Sequence, residues 1–182
     1  MEVSSDAQEI ALVASKELLP PESLVQRVDK DLKIIRSKFP VVANVHAVGM
    51  WKPGCLVFCH IKKESLDVIN NSPYGPISIR DICKDIFTVT FPKPYNPDIL
   101  SEIIKKEFGL KGEHNRIIAK CSNISLIREG SPTGRNTYIF YKGWGDWPAG
   151  AIHKHYWTFT VEPDSNNVEL EKEEGSDLST ME

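Results

Sequence analysis

The sequence predicts an α+β fold, in which two or three helices pack on one face of a largely antiparallel sheet. Apolar residues recur at three- and four-residue steps over residues 22–38 and 99–108, which is the spacing of one buried helix face. Apolar and polar residues instead alternate over residues 87–91 and along much of the C-terminal part, which is the spacing of a strand. Because these strand-like runs follow one another with short loops, they favour an antiparallel meander.

Two helices are predicted in the first 40 residues. Ser5 and Gln8 form a capping box that begins a short helix, and we assign residues 1–21 to an N-terminal helical extension. The second helix spans residues 22–38 and ends before Pro40. Its predicted buried face consists of Leu24, Val28, Leu32 and Ile35.

The middle of the chain contains a predicted hairpin, an isolated strand and a third helix. Residues 41–61 are predicted to form the hairpin around a Lys-Pro-Gly turn, with the second strand covered on both faces. Residues 77–86 fit helical spacing but stay ambiguous, and residues 87–91 form the strand. The third helix begins at Asn96 and ends at Gly109, a residue type common at helix C-termini.

The C-terminal part is predicted to be a meander of four strands. These strands span residues 117–128, 137–142, 152–161 and 168–171. We assign residues 22–171 to a single α+β domain, because a chain of 182 residues is long enough for one sizeable core but short for two. Residues 172–182 are acidic and contain only two large apolar side chains, which predicts a disordered tail.

The composition argues against several classes of protein. A hydrophobic fraction of 41% and a charged fraction of 26% are typical of a soluble globular protein. The net charge of -3 and the lack of a basic stripe argue against nucleic acid as a partner. No apolar run approaches the ~20 residues that a membrane helix needs. Because acids stand near the N-terminus where a signal peptide has positive charge, the expected location is cytoplasmic, or secreted if the first residue belongs to a processed chain.

The four cysteines predict neither a metal site nor a redox centre. No pair has the CxxC spacing of such sites. Cys55 and Cys59 share one extended run, which separates their Cα atoms by ~13 Å, and a disulfide needs roughly 4.4–6.8 Å. Buried free thiols are therefore expected, and no cofactor is predicted.

The segment 138–161 contains the candidate functional residues. Three of the four tryptophans, three of the five tyrosines and two of the five histidines lie there, around a loop with glycines at 143, 145 and 150. By alternation, His153 and His155 lie on the same strand face as Trp157, which is the face toward the core. The two imidazoles are therefore expected ~7 Å apart at the mouth of the core.

Three kinds of site fit these residues. His153 and His155 are weak candidates for metal ligands, with Asp146 or His60 as a third ligand. Asp146 with either of the first two histidines also suits acid–base catalysis, because a carboxylate can orient an imidazole and raise its basicity. The third kind of site is an aromatic contact surface. Its residues are Trp144, Trp147, Tyr141 and Tyr156, together with His153 and His155.

We favour the contact surface, and so a small soluble binding or interaction protein that uses residues 143–157 and has no enzymatic activity. Its expected partner is an unknown protein or a small-molecule ligand. The alternative is a hydrolase, metal-assisted or based on histidine and aspartate, with its site at the same hairpin end. A purely structural role for the two loop tryptophans also stays open. The sequence predicts no membrane partner and makes no prediction of the oligomeric state.

Overall fold

A computed structural model describes residues 3–49, 51–114, 122–128, 134–145, 151–163 and 167–180. Within these residues the fold is α+β, as predicted, and the strands form two four-stranded antiparallel sheets. The chain divides into two compact units. Unit 1 comprises residues 1–15, 20–48 and 118–182, and unit 2 comprises residues 16–19 and 49–117. The sequence predicts one domain over residues 22–171, because nothing in the spacing of the strands assigns them to separate sheets.

The elements follow one another in a simple order. The helices are α1 (Ser5–Ser15), α2 (Glu22–Lys38), α3 (Asp67–Asn70) and α4 (Pro97–Phe108). The strands are β1 (Cys55–Cys59), β2 (Ser78–Cys83), β3 (Ile86–Thr90), β4 (Gly112–Glu113), β5 (Ser122–Arg128), β6 (Asn136–Trp144), β7 (His153–Val161) and β8 (Val168–Gly175). Short 3-10 helices cover Pro40–Val42, Lys63–Leu66 and Leu178–Thr180. No helix among the described residues is both long and apolar enough to cross a membrane.

Unit 1 is a meander covered by two helices on one face. Its sheet has the order β5-β6-β7-β8, which confirms the predicted antiparallel meander of the C-terminal part. The apolar side chains of α1 and α2 form one core with Tyr138, Phe140, Trp157 and Phe159 of the sheet. All four of the residues predicted for the buried face of α2 are buried, so the helical spacing identified the packed face correctly.

A buried polar network ties α2 to this sheet. Asp31 is 1% exposed, and its Oδ2 accepts hydrogen bonds from Tyr138 Oη at 2.8 Å and Asn136 Nδ2 at 2.9 Å. Arg27 Nε donates to the other oxygen, Oδ1, at 2.9 Å. Burial, with the neighbouring Asp31 carboxylate, raises the pKa of Tyr138 well above its ordinary value, so the phenol remains a neutral donor.

Unit 2 is built around a sheet of order β2-β3-β1-β4 with α4 against its inner face. Both predicted ends of α4 are confirmed: Asn96 Oδ1 accepts the backbone N–H of Asp98 at 3.1 Å, and Gly109 has a φ of 70°. Gly112 in β4 lies against the core, where an added Cβ would be 2.8 Å from the ring of Phe58. Close packing there therefore requires glycine.

Two sequence expectations about local structure are wrong, and one assignment that the sequence leaves open is decided. The predicted first strand of the hairpin, 41–48, begins as a 3-10 helix and continues without strand pairing. Side-chain oxygens accept hydrogen bonds from its backbone instead. Ala47 N donates to Asp6 Oδ1, and Val48 N donates to Asn123 Oδ1. The ambiguous run at 77–86 contains β2 rather than a helix. Cys59 and Cys83 are exposed, against the expectation of buried thiols. Strand β1 is covered on one face only, where Leu56 and Phe58 are buried, and nearly all residues of β2, which contains Cys83, are exposed.

The C-terminal end also differs from its prediction. Strand β8 continues to Gly175, past residue 172, where the predicted disordered tail begins. Lys172, Glu173, Glu174 and Gly175 pair with β7, since backbone hydrogen bonding does not depend on the acidity of the side chains. Residues 176–180 follow with contacts of their own, described below.

Candidate functional site

A β-bulge sets which side chains of β8 meet the face of β7 that carries Trp157. Phe159 pairs with Leu170, whereas Thr158 pairs with Lys172, so β8 has one extra residue at this point. The pairing then places Glu173 opposite Trp157 and Gly175 opposite His155. Because cross-strand partners point to the same side of a sheet, the bulge turns Glu173 toward the histidine and the indole. Without the extra residue, Lys172 and Glu174 would take that side.

Glu173 joins His155 and Trp157 through one carboxylate oxygen. Its Oε1 lies 3.0 Å from His155 Nε2 and accepts a hydrogen bond from Trp157 Nε1 at 3.1 Å. The two rings pack against each other with centroids 4.6 Å apart. His155 is 8% exposed and Trp157 is 1% exposed, so both rings are buried and make their contacts within unit 1.

Both ring nitrogens of His155 face hydrogen-bond acceptors. Nδ1 lies 2.7 Å from the carbonyl oxygen of Ser176, and Nε2 faces the Glu173 carboxylate. A neutral imidazole has a single N–H and can donate to only one of the two, whereas the imidazolium donates to both. With neither nitrogen turned toward solvent, His155 is poorly arranged to take a proton from a substrate.

The exposed part of the predicted surface is what we term the hairpin end, defined by Trp144, Gly145, Ile152 and His153. The rings of Trp144 and His153 stack with centroids 5.7 Å apart and planes 24° apart. Ile152 beside them is 65% exposed. Gly145 has a φ of 105°, and an added Cβ would lie 3.3 Å from Ile152 Cβ, so this position favours glycine.

The remaining candidates are separated from this surface or lie outside the described residues. Tyr141 and Tyr156 are cross-strand partners with ring centroids 5.7 Å apart. Alternation puts them on the sheet face opposite to Trp144, His153 and His155, so the six predicted ligand-binding residues do not form one surface. Asp146 and Trp147 belong to residues 146–150, which are outside the described residues.

The metal-site hypothesis concerns His153 and His155. Among the described residues, no group of three or more His, Cys, Asp or Glu side chains converges as metal ligands would. The ring of His153 is stacked on Trp144, and that of His155 is held by Glu173 and Ser176. The two imidazoles are therefore held by different neighbours rather than by one shared ligand site.

The segment after β8 covers part of the hairpin end. We term residues 176–180 the C-terminal segment. Trp144 Nε1 donates to Thr180 O at 3.1 Å and lies 3.2 Å from Thr180 Oγ1. Ser176 N donates to Lys154 O at 2.8 Å, and Lys154 N donates to Ser176 Oγ at 3.3 Å. Leu178 packs at the edge of the unit 1 core. The acidic composition of residues 172–182 predicts a disordered tail and gives no indication of these contacts.

A further histidine–carboxylate pair, which no sequence pattern indicates, lies in unit 2. His114 Nε2 lies 3.0 Å from Asp98 Oδ1, and Asp98 Oδ2 accepts a hydrogen bond from the buried Trp51 Nε1 at 3.2 Å. His114 also lines a cavity of about 290 Å³ together with Ser101, Lys105 and Lys111. No motif connects these residues, which are brought together by the start of α4 and the end of β4.

Comparisons of the chain with protein-family models, with curated proteins and with solved structures find no match.

Proposed function

We propose that this protein binds a partner polypeptide through the hairpin end. The observation that carries the proposal is the exposure of Ile152, two-thirds of whose surface is accessible beside the stacked rings of Trp144 and His153. An aliphatic side chain next to two rings offers apolar contact area of the kind that anchors protein interfaces.

Rigidity supports the same proposal. Trp144 is held by its stack on His153. A side chain that is already held in one rotamer loses little conformational entropy when a partner binds, and ordering a mobile side chain costs ~0.5–1.5 kcal/mol. The stacked pair is therefore a pre-organised contact.

Selection from a random peptide library displayed on phage, with the full-length protein as bait, tests this proposal. Enriched peptides should bind the parent protein and lose about tenfold or more of their affinity for the Ile152→Asp variant, because a charge would be buried in an apolar contact. Val68→Asp is the matched control, since Val68 is 51% exposed on α3 and lies in unit 2. Peptides that bind Ile152→Asp as tightly as the parent protein would contradict the proposal.

The enzyme alternative is supported better by Asp98 and His114 than by the hairpin end. The carboxylate of Asp98 is anchored by Trp51 and meets an imidazole that lines a cavity, an arrangement suited to general acid–base chemistry. The test is hydrolysis of a chromogenic acetate ester by the parent protein, Asp98→Asn and Asp81→Asn, the last an exposed acid of unit 2. Equal rates for all three proteins would remove this alternative.

A further inference from the structure

The C-terminal segment contacts Trp144 of the hairpin end and the adjoining residues Lys154 and His155 of β7 in the way that a bound peptide would. Its two end residues each present a carbonyl oxygen to a ring nitrogen of the sheet, Ser176 to His155 Nδ1 and Thr180 to Trp144 Nε1. Ser176 also exchanges hydrogen bonds with the backbone of Lys154. Backbone pairing combined with side-chain recognition is a recurring mode of peptide binding.

An apolar anchor and an internal turn complete the contact. Leu178 lies between the two carbonyl positions and packs against the unit 1 core. Asp177 Oδ1 accepts the backbone N–H of Ser179 at 2.9 Å, and Thr180 Oγ1 donates to Asp177 O at 2.7 Å. These bonds fold the segment into one short turn, so its carbonyl groups and its leucine are held at fixed spacing.

The connection between β8 and the segment imposes a backbone conformation. Gly175 has a φ of 121°, and an added Cβ would lie 2.2 Å from Lys154 O and 2.8 Å from His155 Cα. No residue with a side chain fits there without moving the backbone. The glycine therefore allows the chain to leave the strand pairing and turn onto the hairpin end.

We propose that the C-terminal segment is a resident peptide ligand of the hairpin end, and that a partner polypeptide binds by displacing it. The partner would present the same chemistry: two backbone carbonyl groups about four residues apart, a leucine-like side chain between them and a small hydroxyl side chain at each carbonyl position. This proposal rests on the proposed function and identifies the kind of polypeptide that is bound.

Displacement predicts a competition that can be measured. If the segment occupies the site nine-tenths of the time, the apparent affinity for an added peptide is reduced about tenfold. The probe is a synthetic peptide with the sequence of residues 175–180, acetylated and amidated, added to the full-length chain. Leu178→Asp weakens the resident segment by placing a charge against the core. This variant should bind the peptide about tenfold or more tightly than the parent protein does.

Two further variants separate displacement from damage to the fold. Leu170→Asp is the matched control. It introduces the same charge outside the segment, at a residue of β8 that is 37% exposed. Gly175→Ala displaces the segment by a different route and should also raise the affinity for the peptide. Hydrogen exchange at the Ser176 amide, which donates to Lys154 O, reports the displacement directly and should accelerate in both displaced variants.

The donor on Trp144 provides the last comparison. In the Leu178→Asp background, Trp144→Phe keeps an aromatic ring but removes the N–H, and peptide affinity should fall about fivefold, as expected for a hydrogen bond of ~1 kcal/mol. The proposal is overturned if the Ser176 amide exchanges rapidly in the displaced variants and neither binds the peptide. In that case, library peptides that still depend on Ile152 would leave the proposed function standing. Loss of both responses would remove the proposed function as well.

Discussion

Replacing Asp31 by alanine should destabilise unit 1 more than any surface substitution. The carboxylate is buried and accepts hydrogen bonds from Arg27, Tyr138 and Asn136. Its removal leaves a guanidinium, a phenol and an amide without their acceptor, and breaking a buried ion pair in this way costs ~3–5 kcal/mol. For a chain of this size, 1 kcal/mol corresponds to a Tm change of ~2–4 °C. The expected fall in Tm is therefore about 6–20 °C.

Thermal unfolding followed by tryptophan fluorescence measures this change, since three of the four tryptophans lie in unit 1. Tyr138→Phe should give a smaller fall, because it removes one hydrogen bond to the carboxylate, worth ~1.5–3 kcal/mol. Glu22→Ala on the same helix is the control: its bond with Gln26 is exposed, and such changes cost at most ~0.5 kcal/mol. A fall below about 2 °C for Asp31→Ala would refute the reasoning.

Further predictions concern α4, β4 and one carboxylate. Asn96→Ala should lower the free energy of unfolding in urea by ~1 kcal/mol, because the cap on the N–H of Asp98 is lost. Gly109→Ala should lower it by ~1 kcal/mol through the positive φ of this position alone. Gly112→Ala should cost more than Gly109→Ala, since its Cβ meets the Phe58 ring whereas nothing lies within 4 Å at Gly109; equal costs would contradict this. Burial acts to raise the pKa of Asp29, but hydrogen bonds from Lys33 and Ser4 outweigh it and hold that pKa below 3.8. The ionised form therefore stabilises the fold above pH 3.8. Asp29→Asn should lower Tm near neutral pH, and the difference should vanish as the pH falls through the folded-state pKa; a constant difference would contradict it.

Sequence patterns predicted the parts of the fold that depend on local spacing. The bounds of α2 and both ends of α4 follow from apolar periodicity, a proline and a capping glycine, and all are confirmed. The order of the C-terminal strands follows from their succession along the chain. The region 41–48 was predicted wrongly as a strand, because backbone N–H groups of Ala47 and Val48 donate to Asp6 and Asn123, which are distant in sequence.

The candidate site was predictable only where it depends on local alternation along one strand. Alternation placed His155 and Trp157 together, and their rings are in contact. No local pattern indicated that a bulge would bring Glu173 to the same face, because a bulge changes which residues pair without changing either sequence pattern. The role of Ser176 was hidden too, since an acidic run predicts disorder whatever its backbone contacts.

The division of the chain between the two units has a consequence for the order in which they can assemble during synthesis on the ribosome. Unit 2 draws almost entirely on the continuous stretch 49–117, so its sheet and α4 can pack as soon as that stretch has emerged. The apolar faces of α1 and α2 must wait until β6 arrives, about 100 residues after α2 ends. At ~5–20 residues per second, that delay is about 5–20 s. During this interval α1 and α2 have no sheet to cover, which leaves the nascent chain vulnerable to aggregation until β6 is translated.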